Sequence, residues 1–308
     1  MSSPDGLPAS PLLRLPLEIR LIIYEYLLLP SITPSSSYST SVNNVSSSSH
    51  HLYLSPDTNA TPTTLSVRTI DPYMGAHTRT WRRRTTYHTR SGPFLTSTTP
   101  TTYRVLLSPY TAHLRHTVPS LLPLNRQIHA EAARVLYGAY TFAFDAHVEA
   151  VVPFLADRTP VARACVRALH VVRKALPYTK EFDRAEWAHF CEYVAGEVCL
   201  RRLGVGVVVG REEDESLEGE GEGQAREISA EEFRLMARMR REWGGGVAGV
   251  DLEWAEQLMQ IKGLREMDVR AVREYCPVPR GEGMEFWKAF GRSVEGGFAE
   301  WVMGAMVG

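Results

Sequence analysis

Four apolar, strand-like runs begin near residues 140, 168, 202 and 264, and each pair is separated by helix-like sequence. The first two intervals are 28 and 34 residues, and the third, 62, is about twice 31. Parallel strands need a crossover of a dozen or more residues between them, usually a helix, so this spacing predicts an α/β chain with a small, mostly parallel sheet. The interval also lies near the upper end of the leucine-rich-repeat period, though the repeat's asparagine ladder is missing. The expectation is therefore an irregular, leucine-rich-repeat-like stack of βα units over residues 146–308, with an acidic loop at 211–228.

Individual runs carry this reading. Tyr140, Phe142 and Phe144 alternate with Thr141, Ala143 and Asp145, a period-two strand. Further strands are expected at Ala168–Arg173, Arg202–Val209 and Leu264–Ala271. Trp187, Phe190, Cys191, Val194 and Val198 fall on one face of a helix, and Ser229 with Glu232 forms a capping box ahead of the next. A helix opening at Asp251 and one unbroken helix from Met284 to Met303 complete the pattern.

The N-terminal part is organised differently. Residues 1–30 hold one helix, Leu12 to Leu29, with Pro16 as its first residue and Pro30 as its stop. Its apolar residues Ile19, Ile22, Ile23, Tyr26 and Leu27 follow helical spacing and form one broad stripe. Residues 31–118 follow, where 34 of 88 positions are Ser or Thr. So polar a stretch buries too little apolar area to offset its ordering entropy, and it reads as a Ser/Thr-rich disordered insertion. Leu52–Leu54 and Tyr103–Leu107 are strand-like islands that could pair at its neck. Residues 119–145 then hold a second helix, opened by Pro123 and stopped at Gly138, and the strand that ends at Asp145.

Charge is uneven although its total is only -1. The insertion has eight arginines against Asp57 and Asp71, while Glu212 to Glu222 gathers seven acidic groups. Trp81, Tyr87 and Arg90 surround Arg82, Arg83 and Arg84, a mixture found in nucleic-acid contacts; a solvated or localisation-type segment is the expected role. No run approaches the ~20 apolar residues of a membrane-spanning helix. The first ten residues lack a signal peptide's basic and apolar regions, and four unpaired-looking cysteines fit a reducing compartment. A cytoplasmic or nuclear protein is expected.

Reactive constellations are missing from the pattern. Gly204, Gly206 and Gly210 lie inside a strand pattern and lead into Glu212–Glu215, which would repel a pyrophosphate; close packing explains them better. His113 and His116 have no third ligand nearby, and no nucleophile, P-loop or zinc-protease motif occurs. The chain is thus expected to be no enzyme, with no cofactor, no metal and no small-molecule substrate. Leu15, Pro16, Ile19, Ile23 and Leu27 are the candidate partner-binding residues. The alternative role, expected for most of them, is packing against the second helix and the Tyr140–Phe144 strand.

Two segments read together, residues 12–28 and 121–145, resemble fungal F-box-like proteins. The first presents Leu15, Pro16, Glu18, Ile19, Arg20, Ile23 and Tyr24 at the family's spacing. The second presents Asn125, Arg126, Gln127, Ile128, Glu131, Ala132, Leu136 and Tyr137, then Thr141, Phe142 and Phe144. The resemblance covers about 42 residues. It implies a non-catalytic module docking on a Skp1-like adaptor of a ubiquitin ligase, with the βα domain holding a protein substrate. A self-contained scaffold without a ubiquitin role is the alternative.

Overall fold

A computed structural model describes residues 11–31, 62–70, 102–174, 181–211, 227–243, 252–275 and 283–308. Its centre is one six-stranded sheet made of β1 (Thr64–Ile70), β2 (Thr102–Leu106), β3 (Thr141–Asp145), β4 (Ala168–Lys174), β5 (Arg202–Arg211) and β6 (Glu266–Tyr275). The order is β2-β1-β3-β4-β5-β6. Only the β1–β2 pair is antiparallel, and every other neighbour runs parallel. The helices are α1 (Leu17–Leu28), α2 (Leu114–Leu121), α3 (Arg126–Ala139), α4 (Val151–Ala156), α5 (Pro160–Arg163), α6 (Glu181–Glu197), α7 (Ala230–Trp243), α8 (Glu253–Leu258), α9 (Gly283–Ser293) and α10 (Ala299–Met306).

From β3 to β6 each strand lies beside its predecessor. Right-handed crossovers between strands laid down in that order put the connecting helices on one face of the sheet. Burial follows this geometry. Phe142 and Phe144, Leu169 and Val171, Leu203, Val205 and Val207, then Met267 and Val269 alternate into a single core shared with Trp187, Phe190, Val194, Phe233 and Phe298. Trp187 is fully buried, stacks edge-on against Trp254 and donates its indole N–H to the Trp254 carbonyl at 2.9 Å, tying α6 to α8. The opposite face carries His170, Gly204, Asp268 and Arg270. A Cβ at Gly204 would meet the His170 ring at 2.7 Å, and one at Gly206 would meet Val172 and Val272 at 2.9 Å. The glycines are there for close packing across β5.

Several local expectations change. The segment TLSVRTI, read as part of a low-complexity insertion, is β1, and it lies between β2 and β3 inside the sheet. Its Thr residues are β-branched and suit a strand, while Leu65 and Val67 face the core. Leu52–Leu54, Arg82–Arg84 and the acidic Glu212–Glu222 lie outside the described residues. Pro123 does not open α3. Asn125 does, accepting the Ile128 amide at 2.8 Å as an N-cap, and the helix runs through Gly138. Asn125→Ala is expected to cost about 1 kcal/mol in urea unfolding, with the native circular dichroism unchanged.

The C-terminal helix is also broken. Ser293 ends α9, a π turn spans Val294–Phe298, and Gly296 takes φ -105°, ψ -109° before α10 begins. Ser229 and Glu232 do form the reciprocal cap of α7, with the Ser229 amide donating to the Glu232 carboxylate at 2.9 Å. No helix among the described residues is long and apolar enough to cross a membrane.

Candidate docking face

The two sequence segments that share the family resemblance meet in space, and polar side chains join them. Arg20 of α1 reaches Glu131 of α3 with two parallel bonds, Nε to Oε2 at 2.9 Å and Nη2 to Oε1 at 2.7 Å. Bidentate pairing of this kind is the strong geometry for arginine and carboxylate. The third nitrogen, Nη1, donates to the Leu15 carbonyl at 2.6 Å. Tyr24 and Gln127 also donate to Glu131, at 3.1 and 3.0 Å. Farther along, the Tyr140 hydroxyl donates to the Leu28 carbonyl at 2.7 Å. The arrangement is a clasp: one carboxylate collects four donor contacts from three side chains on two helices.

Its electrostatics follow. The hydrogen bonds from Arg20 hold the Glu131 carboxyl down to about 2 against the opposing effect of burial. The same pairing raises Arg20 further, and burial followed by the Glu131 bond raises Tyr24.

The clasp decides which way α1 faces. Arg20, Tyr24 and Leu28, at i, i+4 and i+8, are the buried positions of the helix. The apolar residues on the other side are consequently left outside: Ile19 is 45% exposed, Ile22 60% and Tyr26 87%. Leu15 and Leu17 are exposed as well. Ile19, Ile22 and Tyr26 follow i, i+3, i+7 and make one stripe along the helix, and exposed Leu15 lies just ahead of the helix start. About two turns of helix carry it, a length of ~10 Å at 1.5 Å per residue.

Of the five candidate residues, Leu15, Pro16 and Ile19 are exposed, Ile23 is half-buried, and Leu27 is half-buried against the core. The expectation that most of these would pack inward therefore fails at three positions. Ile22 and Tyr26 were in the apolar stripe but not among the candidates, and they are the most exposed members. The signal that identifies them is Arg20 with Tyr24, because those two polar side chains mark the inward face.

Two other groups of ionisable side chains occur among the described residues. At the ends of β1 and β3, Asp145 pairs with Arg68 and sits 3.4 Å from His170 Nδ1. Burial raises the Asp145 carboxyl, but the His170 bond and Arg68 outweigh it and hold it low. Asp145 is in the left-handed region at φ 45°, beside a bulge in the β3–β4 register. Thr69 meets His147 Nδ1 at 2.7 Å and Glu149 at 3.1 Å. Backbone pairing of β1 to β3 stops at Ser66–Ala143, and beyond it β1 is paired to β2 while these side chains link it across to the β3 end. The second group lines a cleft of about 260 Å³ between α6 and α8, formed by Arg173, Arg184, Ala185, Ala188, Glu253, Trp254 and Gln257. Arg173 lies over the Trp187 ring and donates to the Asp183 carbonyl, while Glu253 accepts from Arg240. Among the described residues no serine, cysteine or histidine borders this cleft. Among the described residues no three His, Cys, Asp or Glu side chains gather in a metal-binding group.

Comparison with known proteins finds no matching family model, no matching curated protein and no matching solved structure.

Proposed function

We propose that the chain is a non-catalytic docking module, in which the outward stripe of α1 seats in an apolar groove of a protein partner. The observation that carries this reading is the inversion of α1, with Arg20 buried and Ile22 and Tyr26 largely bare. Exposed apolar side chains scattered singly are ordinary, but a contiguous run of them on one helix face is a mark of an interaction site. An amphipathic helix laid into a groove is an established mode of recognition. The resemblance to F-box-like proteins names a Skp1-like adaptor as the candidate partner, with the βα body available for a substrate protein.

The test is an Ile19→Asp, Ile22→Asp double variant titrated against a recombinant fungal Skp1-like adaptor by calorimetry. Exposed substitutions away from special features change stability by about 0.5 kcal/mol or less, so circular dichroism and thermal unfolding should match the parent. Adaptor affinity should fall by roughly 100-fold or more, as loss of central apolar anchors does. A variant that unfolds would instead favour α1 as core of a self-contained scaffold. That second reading has its own support: the resemblance residues Arg20, Tyr24 and Glu131 are all spent on each other.

A further inference from the structure

We infer that the groove receiving α1 has an apolar floor and one basic wall, and that it belongs to a different protein rather than to a second copy of this chain. This rests on the docking reading above and adds the chemistry of the partner. Helical geometry places Glu18 and Glu25, seven residues apart, along one flank of the Ile22 and Tyr26 stripe, and both are exposed. The other flank is apolar, with Ile23 and Leu27 half-buried. Arg20 is the one basic residue of α1, and it is turned inward onto Glu131. Exposed Arg14 precedes the helix at one end of the stripe, so the helix face still carries net negative charge along most of its length.

Neither carboxylate has a hydrogen-bond or ion-pair partner among the described residues. Glu18 lies in the first turn, where the helix dipole favours an anion; Glu25 lies in the last turn, where it does not. A cation supplied from outside relieves the second charge. That asymmetry also fixes how a partner sits, because one wall of its groove must be basic and the other apolar.

A second copy is a poor occupant on two counts. Paired antiparallel along the stripe, two copies of α1 would set Glu18 against Glu25; paired in parallel, each carboxylate would lie beside the other copy's apolar Ile23 and Leu27 flank, where it meets no cation. The first arrangement opposes like charges, which is destabilising, and the second offers neither carboxylate a counter-charge. The stripe is also only about two turns long and closed by Pro16 and Pro30, a small face beside the ~800 Å² per partner of a standard interface. A concave partner surface collects more contact from such a short helix than a second convex helix can.

The experiment compares the wild type, Glu18→Lys/Glu25→Lys and Ile19→Asp/Ile22→Asp against the recombinant Skp1-like adaptor, at about 0.05 and about 0.5 M salt, with sedimentation of the free chain alongside. The salt range spans strong and weak screening. The expected result is a 10- to 100-fold loss of affinity for the charge-reversed pair at low salt, mostly in the association rate, shrinking at high salt. Wild-type binding that is lost only in the apolar variant, with no effect of charge reversal or salt, overturns this inference and leaves the docking reading standing. Wild type that does not bind, or a free chain that dimerises through a contact abolished by Ile19→Asp/Ile22→Asp, overturns both.

Discussion

Gly297→Ala should destabilise the fold by about 3 kcal/mol or more, a large share of the 5–15 kcal/mol that holds a typical domain. A Cβ at this position would be driven into the Ile228 carbonyl oxygen and would lie 2.8 Å from the Ser229 carbonyl carbon and 2.9 Å from the Ala230 nitrogen. All three are backbone atoms, so no side chain can swing aside. They are also fixed from behind: the Ile228 amide donates to Ser293 Oγ at 2.7 Å, and that hydroxyl donates to the Ala289 carbonyl at 2.6 Å. The start of α7 therefore rests directly on the π turn, and only a residue without a side chain lets the two backbones approach. Gly304→Ala is the matched control. It lies in α10 with nothing within 4 Å of a new Cβ, so alanine there should stabilise by about 0.5–1 kcal/mol through helix propensity. Urea unfolding of both variants checks the pair; equal midpoints would refute the backbone contact.

Glu131→Ala should have the next largest effect, moving the urea midpoint further than Asn125→Ala does. It leaves the inward-facing Arg20 with only the Leu15 carbonyl as a short contact and strips Tyr24 of its acceptor. The pH dependence has a definite sign. With a carboxyl pKa of about 2 folded against 4.5 for the free group, the folded state binds fewer protons than the unfolded one between those values. The stabilisation is complete above about 4.5 and is lost as pH falls toward about 2. A stability profile of wild type should thus drop more steeply across that window than the profile of Glu131→Gln, and coincident profiles would show that the clasp carries no charge coupling.

The βα body was legible because alternation is a local signal. The strand starts expected at about 140, 168, 202 and 264 are observed at 141, 168, 202 and 266. Where a one-sided sheet buries every second residue, period two is written into the chain. β1 was hidden because Thr and Ser score as low complexity, and its partners β2 and β3 come 32 or more residues later. The final helix was read as continuous because helical spacing persists across Val294–Phe298, whereas the break depends on a backbone from α7 pressing on Gly297. The orientation of α1 was the hardest to read. Its apolar residues occupy more than half of the circumference, so periodicity alone does not choose a side. The choice is made by Glu131, 111 positions away from Arg20.

That distance along the chain has a consequence for what the protein tolerates. Closing a loop costs entropy only as the logarithm of its length, so doubling a connection adds about 0.6 kcal/mol. A bidentate clasp assembled across more than a hundred residues is therefore almost indifferent to how many of them there are. Related chains could lengthen, shorten or replace much of the sequence between α1 and β1 and between β1 and β2, and still present the same helix at the same angle to the outside.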